Sequence, residues 1–253
     1  MRFLQGSSGF FKGFLDTPTW VGLVLSPVLA GVLVPPALSL TWAGEGVEWR
    51  RQLVAQTPAH PEATRANAGQ LMQEAEELFN QQTVETRQQA LAKFEQARQL
   101  YKTIGDRAGE GQSLNNIGFT YFSQGQYGAA LGYYQQALAI RQAMGDRAGE
   151  GNSLNNIGSI YSSQGQYGAA LSYYQQSLAI RQEIGDRAGE GNSLNNIGAI
   201  YDSQGQYGEA LGYYQQSLAI RQEIGDRAVE GSSLNNIGGI YNSQGQYGEA
   251  LGY

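Results

Sequence analysis

The sequence predicts an all-α solenoid of antiparallel helix pairs, on three observations. Long identical strings return at a constant interval: "SLNNIG" begins at Ser113, Ser153, Ser193 and Ser233, and "SQGQYG" at Ser123, Ser163, Ser203 and Ser243. "GDRA" follows the same 40-residue spacing from Gly105 to Gly145, Gly185 and Gly225. A fixed period of this length marks a repeat array rather than one globular core. All six prolines lie before residue 62, and the Pro-free tract that follows is rich in Ala, Gln, Leu and Tyr, so it reads as helical.

The elements are placed in chain order. Residues 1–43 carry Arg2 and Lys12, then a charge-free apolar run from Thr17, and a small-residue site at Thr41-Trp42-Ala43. That layout predicts an export signal, with an uncleaved membrane anchor as the alternative. Pro27 and the Pro35-Pro36 pair disfavour a straight spanning helix. The expected location is therefore periplasmic or extracellular, with any membrane attachment through this segment alone. Residues 44–64 combine two prolines with mixed charge and no sustained period, as a linker does.

Residues 65–110 read as a divergent first repeat. Leu71, Ala75 and Leu78 share one helical face, and after a break at Gln82–Glu85 a second face carries Ala90, Leu91, Phe94, Ala97 and Tyr101. Ala90, Phe94 and Ala97 each precede Ala130, Tyr134 and Ala137 by 40 residues. Clear units follow at 111–150, 151–190 and 191–230, with an incomplete one at 231–253. In the second clear unit the first helix, A, is expected from Arg147 to Gln164 and the second, B, from Tyr167 to Ile184. Asp186 and its equivalents are good N-caps, and Gly165 and Gly185 suit the left-handed C-terminal position. Leu154, Ile157 and Tyr161 face Ala170, Leu171, Tyr174 and Leu178, with Gly158 small enough to bring the two backbones close.

In the first clear unit the order Leu114, Ile117-Gly118, Tyr121, Gly125, Tyr127, Ala130, Tyr134, Ala137 resembles the tetratricopeptide repeat. The resemblance recurs in each unit and covers roughly residues 68–253. It implies a right-handed α-solenoid whose A helices line a concave groove where peptide ligands lie. The unit is longer than the family's usual length of about 34 residues. In this it is similar to the long-helix variety of kinesin light chains and bacterial regulators. The family's usual Pro after helix B is missing. Such repeats resemble those of cyanobacterial and other bacterial multidomain proteins, where the array accompanies a caspase-like protease or a signalling ATPase.

On a helical wheel at about 100° per residue, the first Asn of each pair points away from the buried arc. Asn115, Asn155, Asn195 and Asn235 are thus expected to form a ladder on the groove floor. Amides there can bond an extended backbone whatever its side chains. Asn116, Asn156, Asn196 and Asn236 lie at the edge of the buried arc and are expected to bond helix or loop backbone. Three helix-A positions vary between copies on the open arc: Gln112/Asn152/Asn192/Ser232, Phe119/Ser159/Ala199/Gly239 and Phe122/Ser162/Asp202/Asn242. A ligand-reading surface would vary there, and so would a solvated surface drifting after duplication. Phe119 and Phe122 suggest an apolar peptide pocket, unless docking of the first repeat covers them.

Several function classes are excluded or disfavoured. Formal charge is −6, and the three lysines, Lys12, Lys93 and Lys102, all precede the clear repeats, which argues against a phosphate-tracking, nucleic-acid-binding surface. There is no cysteine and hence no disulfide, thiolate metal site or cysteine nucleophile in these residues. His60 stands alone between prolines, and the serines lack a base partner. Asp146, Arg147 and Glu150 recur as caps and ion pairs, while Arg141, Arg181 and Arg221 sit in last turns of helix B, where the dipole favours a cation. No cofactor or metal is expected, and no catalysis. The expected function is a scaffold binding a protein or peptide partner. The alternatives are the regulatory front of a truncated signalling enzyme and a self-associating structural array.

Overall fold

The computed structural model describes residues 60–252, so the apolar N-terminal segment and most of the linker lie outside the described residues. Among the described residues ten helices run in consecutive pairs. They are α1 (Pro61–Asn80), α2 (Val84–Thr103), α3 (Arg107–Ser123), α4 (Tyr127–Met144), α5 (Arg147–Ser163), α6 (Tyr167–Glu183), α7 (Arg187–Ser203), α8 (Tyr207–Ile224), α9 (Arg227–Ser243) and the single turn α10 (Tyr247–Ala250). No strand occurs among the described residues, and no helix there is long and apolar enough to cross a membrane.

Helix boundaries follow local chemistry. The carboxylates of Asp106, Asp146 and Asp186 accept the backbone N–H of Gly109, Gly149 and Gly189 at 3.0, 2.9 and 2.9 Å, capping α3, α5 and α7. Gly165 at φ 70° and Gly185 at φ 69° take the left-handed conformation that closes α5 and α6. Gln166 N–H then reaches back to Tyr161 O, and Asp186 N–H to Arg181 O. The first repeat departs from this pattern. α1 begins at Pro61, so residues 61–64 are helical rather than linker, because Pro at the first helical position has no N–H to leave unsatisfied. Its turn to α2 passes through Gln82 at φ 59°, and Thr83 and Thr86 close a reciprocal capping box.

Each pair packs internally, and each second helix packs on the first helix of the next pair. One apolar cluster therefore sits at every junction. Ala68, Met72, Ala75, Ala90, Phe94, Ala97 and Ile117 join the first repeat to the second. Ala130, Tyr134, Ile157 and Ile160 form the next junction, which recurs at Ala170, Tyr174, Ile197 and Ile200. Gly158 serves this packing differently from expectation: a Cβ there would lie 2.7 Å from Tyr174 Cε1, so the glycine seats a tyrosine ring rather than a neighbouring backbone. Tyr161 stacks on Tyr173, with ring centroids 5.3 Å apart.

Successive first helices also touch directly, α3 with α5 and α5 with α7.

Candidate functional site

The face shared by α3, α5, α7 and α9 is organised by the asparagine pairs. Asn156 Nδ2 donates to Asn115 Oδ1 at 2.9 Å, Asn196 Nδ2 to Asn155 Oδ1 at 2.9 Å, and Asn236 Nδ2 to Asn195 Oδ1 at 3.0 Å. At the head of the series Asn116 Nδ2 donates to Glu76 Oε1 at 3.1 Å. The second asparagine thus bonds the first asparagine of the preceding repeat, not a backbone group as the sequence suggests. Close contact between first helices places these side chains, 41 residues apart, within reach.

The arrangement fixes each first asparagine. Its oxygen is occupied from the following repeat, so its Nδ2 group has a set direction, and the hydrogen bonds among the described residues leave that donor unused at Asn115, Asn155 and Asn195. A row of oriented N–H donors results, one per repeat. Asn235 closes the row, exposed on α9.

The other candidate residues separate into three environments. Asn152 and Asn192 accept through Oδ1 from the Nη2 groups of Arg181 and Arg221. Both arginines are buried, Arg221 to 2% exposure, rather than displayed at a solvated helix end. Arg181 Nη1 donates to Asp186 Oδ2 at 2.5 Å and Arg221 Nη1 to Asp226 Oδ2 at 3.1 Å. Arg141 instead reaches Gly149 O at 2.8 Å and Ser153 Oγ at 3.1 Å, and burial pulls its guanidinium below the usual arginine range. The glycines of "AGEG" make the slot: a Cβ on Gly189 would lie 2.5 Å from Arg181 Cδ, and one on Gly151 2.9 Å from Arg181 Nε. Asn152, Asn155 and Asn192 line one hollow of about 270 Å³, with Arg181 and Asp186 at its base.

Ser159 accepts from the Tyr174 hydroxyl at 3.1 Å, so the tyrosine under Gly158 ends at a candidate residue of this face. Ser162 stands near the Tyr174 hydroxyl, and Asp202 holds the equivalent place beside Tyr214. Burial, reinforced by the Asp202 charge, pushes the Tyr214 hydroxyl up to about 12. Asn242 shares an open hollow on α9 with Leu234 and Asn235.

The two phenylalanines part company. Phe122 packs on Tyr127 and joins the cluster of Tyr134, Ile157 and Ile160. Phe119 stays 47% exposed, its ring 5.3 Å from that of Phe79 on α1. Sequence reasoning overlooked Glu76 and Phe79, which lie in the divergent repeat where the period is irregular. It read Arg141, Arg181 and Arg221 as cations at helix ends, whereas all three are buried. Among the described residues no cluster of His, Cys, Asp or Glu is arranged to hold a metal.

A family model described as tetratricopeptide repeat matches residues 84–143, 149–223 and 192–253. The chain belongs to the tetratricopeptide-repeat family. A search of curated proteins finds no match in sequence. Solved tetratricopeptide-like neighbours include BtubC (BKLC) from P. vanneervenii, 21% identical with a TM-score of 0.56 over 77% of this chain and 88% of that one. A putative kinesin light chain with nearly identical repeats from Podospora anserina is 19% identical, with a TM-score of 0.57 over 77% and 92%. The Rap conjugation gene regulator of plasmid pLS20, solved with the Phr* peptide, is 16% identical, with a TM-score of 0.62 over 72% and 49%. The chain thus spans about half the length of that regulator. At these identities the likeness is one of fold.

Proposed function

We propose that this tetratricopeptide array is a non-catalytic scaffold that binds an extended segment of a partner protein along the face of α3, α5, α7 and α9. The observation that carries the reading is the row of oriented Nδ2 donors at Asn115, Asn155 and Asn195. An extended peptide presents backbone carbonyls at regular intervals, and fixed donors bond them without reading side chains. The sequence variation at Phe119/Ser159/Ala199/Gly239 would supply selectivity beside that row. A peptide-bound regulator among the structural neighbours supports the reading as analogy of fold. Delivery of the scaffold outside the cytoplasm by its N-terminal segment is part of the proposal, and fractionation of source cells with an antibody to the repeat tests it.

The groove is tested by replacing Asn155 and Asn195 with Asp in the full chain. An aspartate keeps the acceptor that Asn196 and Asn236 need and removes the outward donor, whereas alanine would break the ladder as well. Binding of fluorescent, uncharged heptapeptide pools should be lost while the thermal midpoint stays near that of the unaltered protein. Unchanged peptide binding with the fold intact overturns the groove reading.

A further inference from the structure

At the first-repeat end of the groove lies a hollow of about 260 Å³ bounded by Glu76, Phe79, Phe94, Asn116 and Phe119. Two features set it apart from the rest of the face. It is walled by aromatic rings, since the residues equivalent to Phe119 in later units are Ser159, Ala199 and Gly239. It also carries a carboxylate with no cation: Glu76 accepts one hydrogen bond, from Asn116, and belongs to no ion pair among the described residues, whereas neighbouring Glu74 pairs with Lys93 at 2.5 Å.

The charge of the whole face points the same way. On the later first helices Asp202 adds a second carboxylate. Of the arginines behind the groove, Arg181 and Arg221 are buried and paired with Asp186 and Asp226, and Arg141 is buried with its donors on Gly149 O, Ser153 and Gln112. Among the described residues the open face therefore offers acids and neutral amides, and the three arginines behind it are already bonded to the chain.

Resting on the groove reading above, we propose that the hollow receives a lysine or arginine side chain of the bound partner segment. The aliphatic stem lies against the paired Phe79 and Phe119 rings, and the charged head reaches Glu76. A long cationic side chain matches both parts of the site, because its methylenes take apolar cover while its head meets ring faces and a carboxylate. An acidic side chain would meet Glu76 as a like charge, and a purely apolar one would leave it unanswered. The Asn116 bond to Glu76 ties this pocket to the head of the amide ladder, so the basic residue would set where along the groove the partner begins.

The test uses the full chain and three fluorescent heptapeptide pools that differ only at a fixed central residue: lysine, norleucine or glutamate. The lysine pool should bind tightest and weaken as NaCl is raised, since exposed charge pairs are screened. Glu76→Gln should weaken the lysine pool roughly five- to tenfold while leaving the norleucine pool unchanged. Phe119→Ser, which installs the residue already present at position 159, should weaken both. If lysine and norleucine pools bind alike and Glu76→Gln changes nothing, the cation pocket is overturned while the groove survives. If no pool binds, both readings fall.

Discussion

Glycine at a single position illustrates how residue-scale sterics decide stability here. Gly158 sits inside α5, where alanine is worth about 1 kcal/mol more in helix propensity. A Cβ would nevertheless press on Tyr174 Cε1 at 2.7 Å and Cδ1 at 2.8 Å, and that ring is buried with no room to retreat. Gly212, inside α8, has no heavy atom within 4 Å of the same added carbon, and the equivalent position already holds Ser172. Gly158→Ala is therefore expected to cost about 1–2 kcal/mol through overpacking, and Gly212→Ala to gain about 0.5–1 kcal/mol. Urea unfolding of the two variants in parallel checks this, and a shift of the same sign in both would contradict it. The sequence put Gly158 on the buried face as a spacer between backbones. It could not say that the Tyr174 ring lies directly over the glycine.

Elements are joined by side chains that cross from one helix to two others. Arg181 leaves the last turn of α6, bonds Asn152 on α5 and pairs with Asp186, which is also the N-cap of α7. One guanidinium thus fastens a repeat to itself and to its successor. Ser177 adds a buried link from α6, donating to Gly151 O at 2.9 Å and meeting Ser193 Oγ at 3.2 Å. Arg181→Met would leave Asp186 and Asn152 without their partner, an expected loss of about 2–4 kcal/mol. Arg181→Lys should recover less than half of it, because one ammonium cannot span two partners as a planar fork does. A chain carrying lysine that unfolds at the same urea concentration as the unaltered protein would refute the bridging role. Helix pairs themselves were legible from the 40-residue period and the recurring Asp and Gly termini. The arginine bridge was not, because a helix-end arginine looks the same in sequence whether water or a glycine slot receives it.

At the scale of the molecule, stability comes from contacts between adjacent repeats, since each helix pair buries its apolar face only against its neighbours. α2 through α8 have full helices packed on both sides. α9 is covered on one side by α8 and on the other by a single turn, beyond which Leu251 is 90% exposed. Native-state hydrogen exchange of this polypeptide should accordingly show the slowest amides within α2–α8, faster exchange in α9 and the fastest in α10. Uniform protection along the array would mean that the repeats open only together.

Features carried within a turn or two of chain are legible from residue order alone. Helix pairs, their caps, the left-handed glycines and the buried faces around Ile157 and Tyr174 all follow from residue type and period, and in the second clear unit the helix ends fall within a residue of expectation, although α1 starts four residues early at Pro61. Only the tertiary structure decided the relations between repeats: Asn156 bonding Asn115, Arg181 reaching Asn152, Phe122 turning toward Tyr127 while Phe119 meets Phe79. Periodicity fixes the face on which a side chain stands. Its partner depends on how far and at what angle the next repeat is set, which is the outcome of packing summed over whole helices.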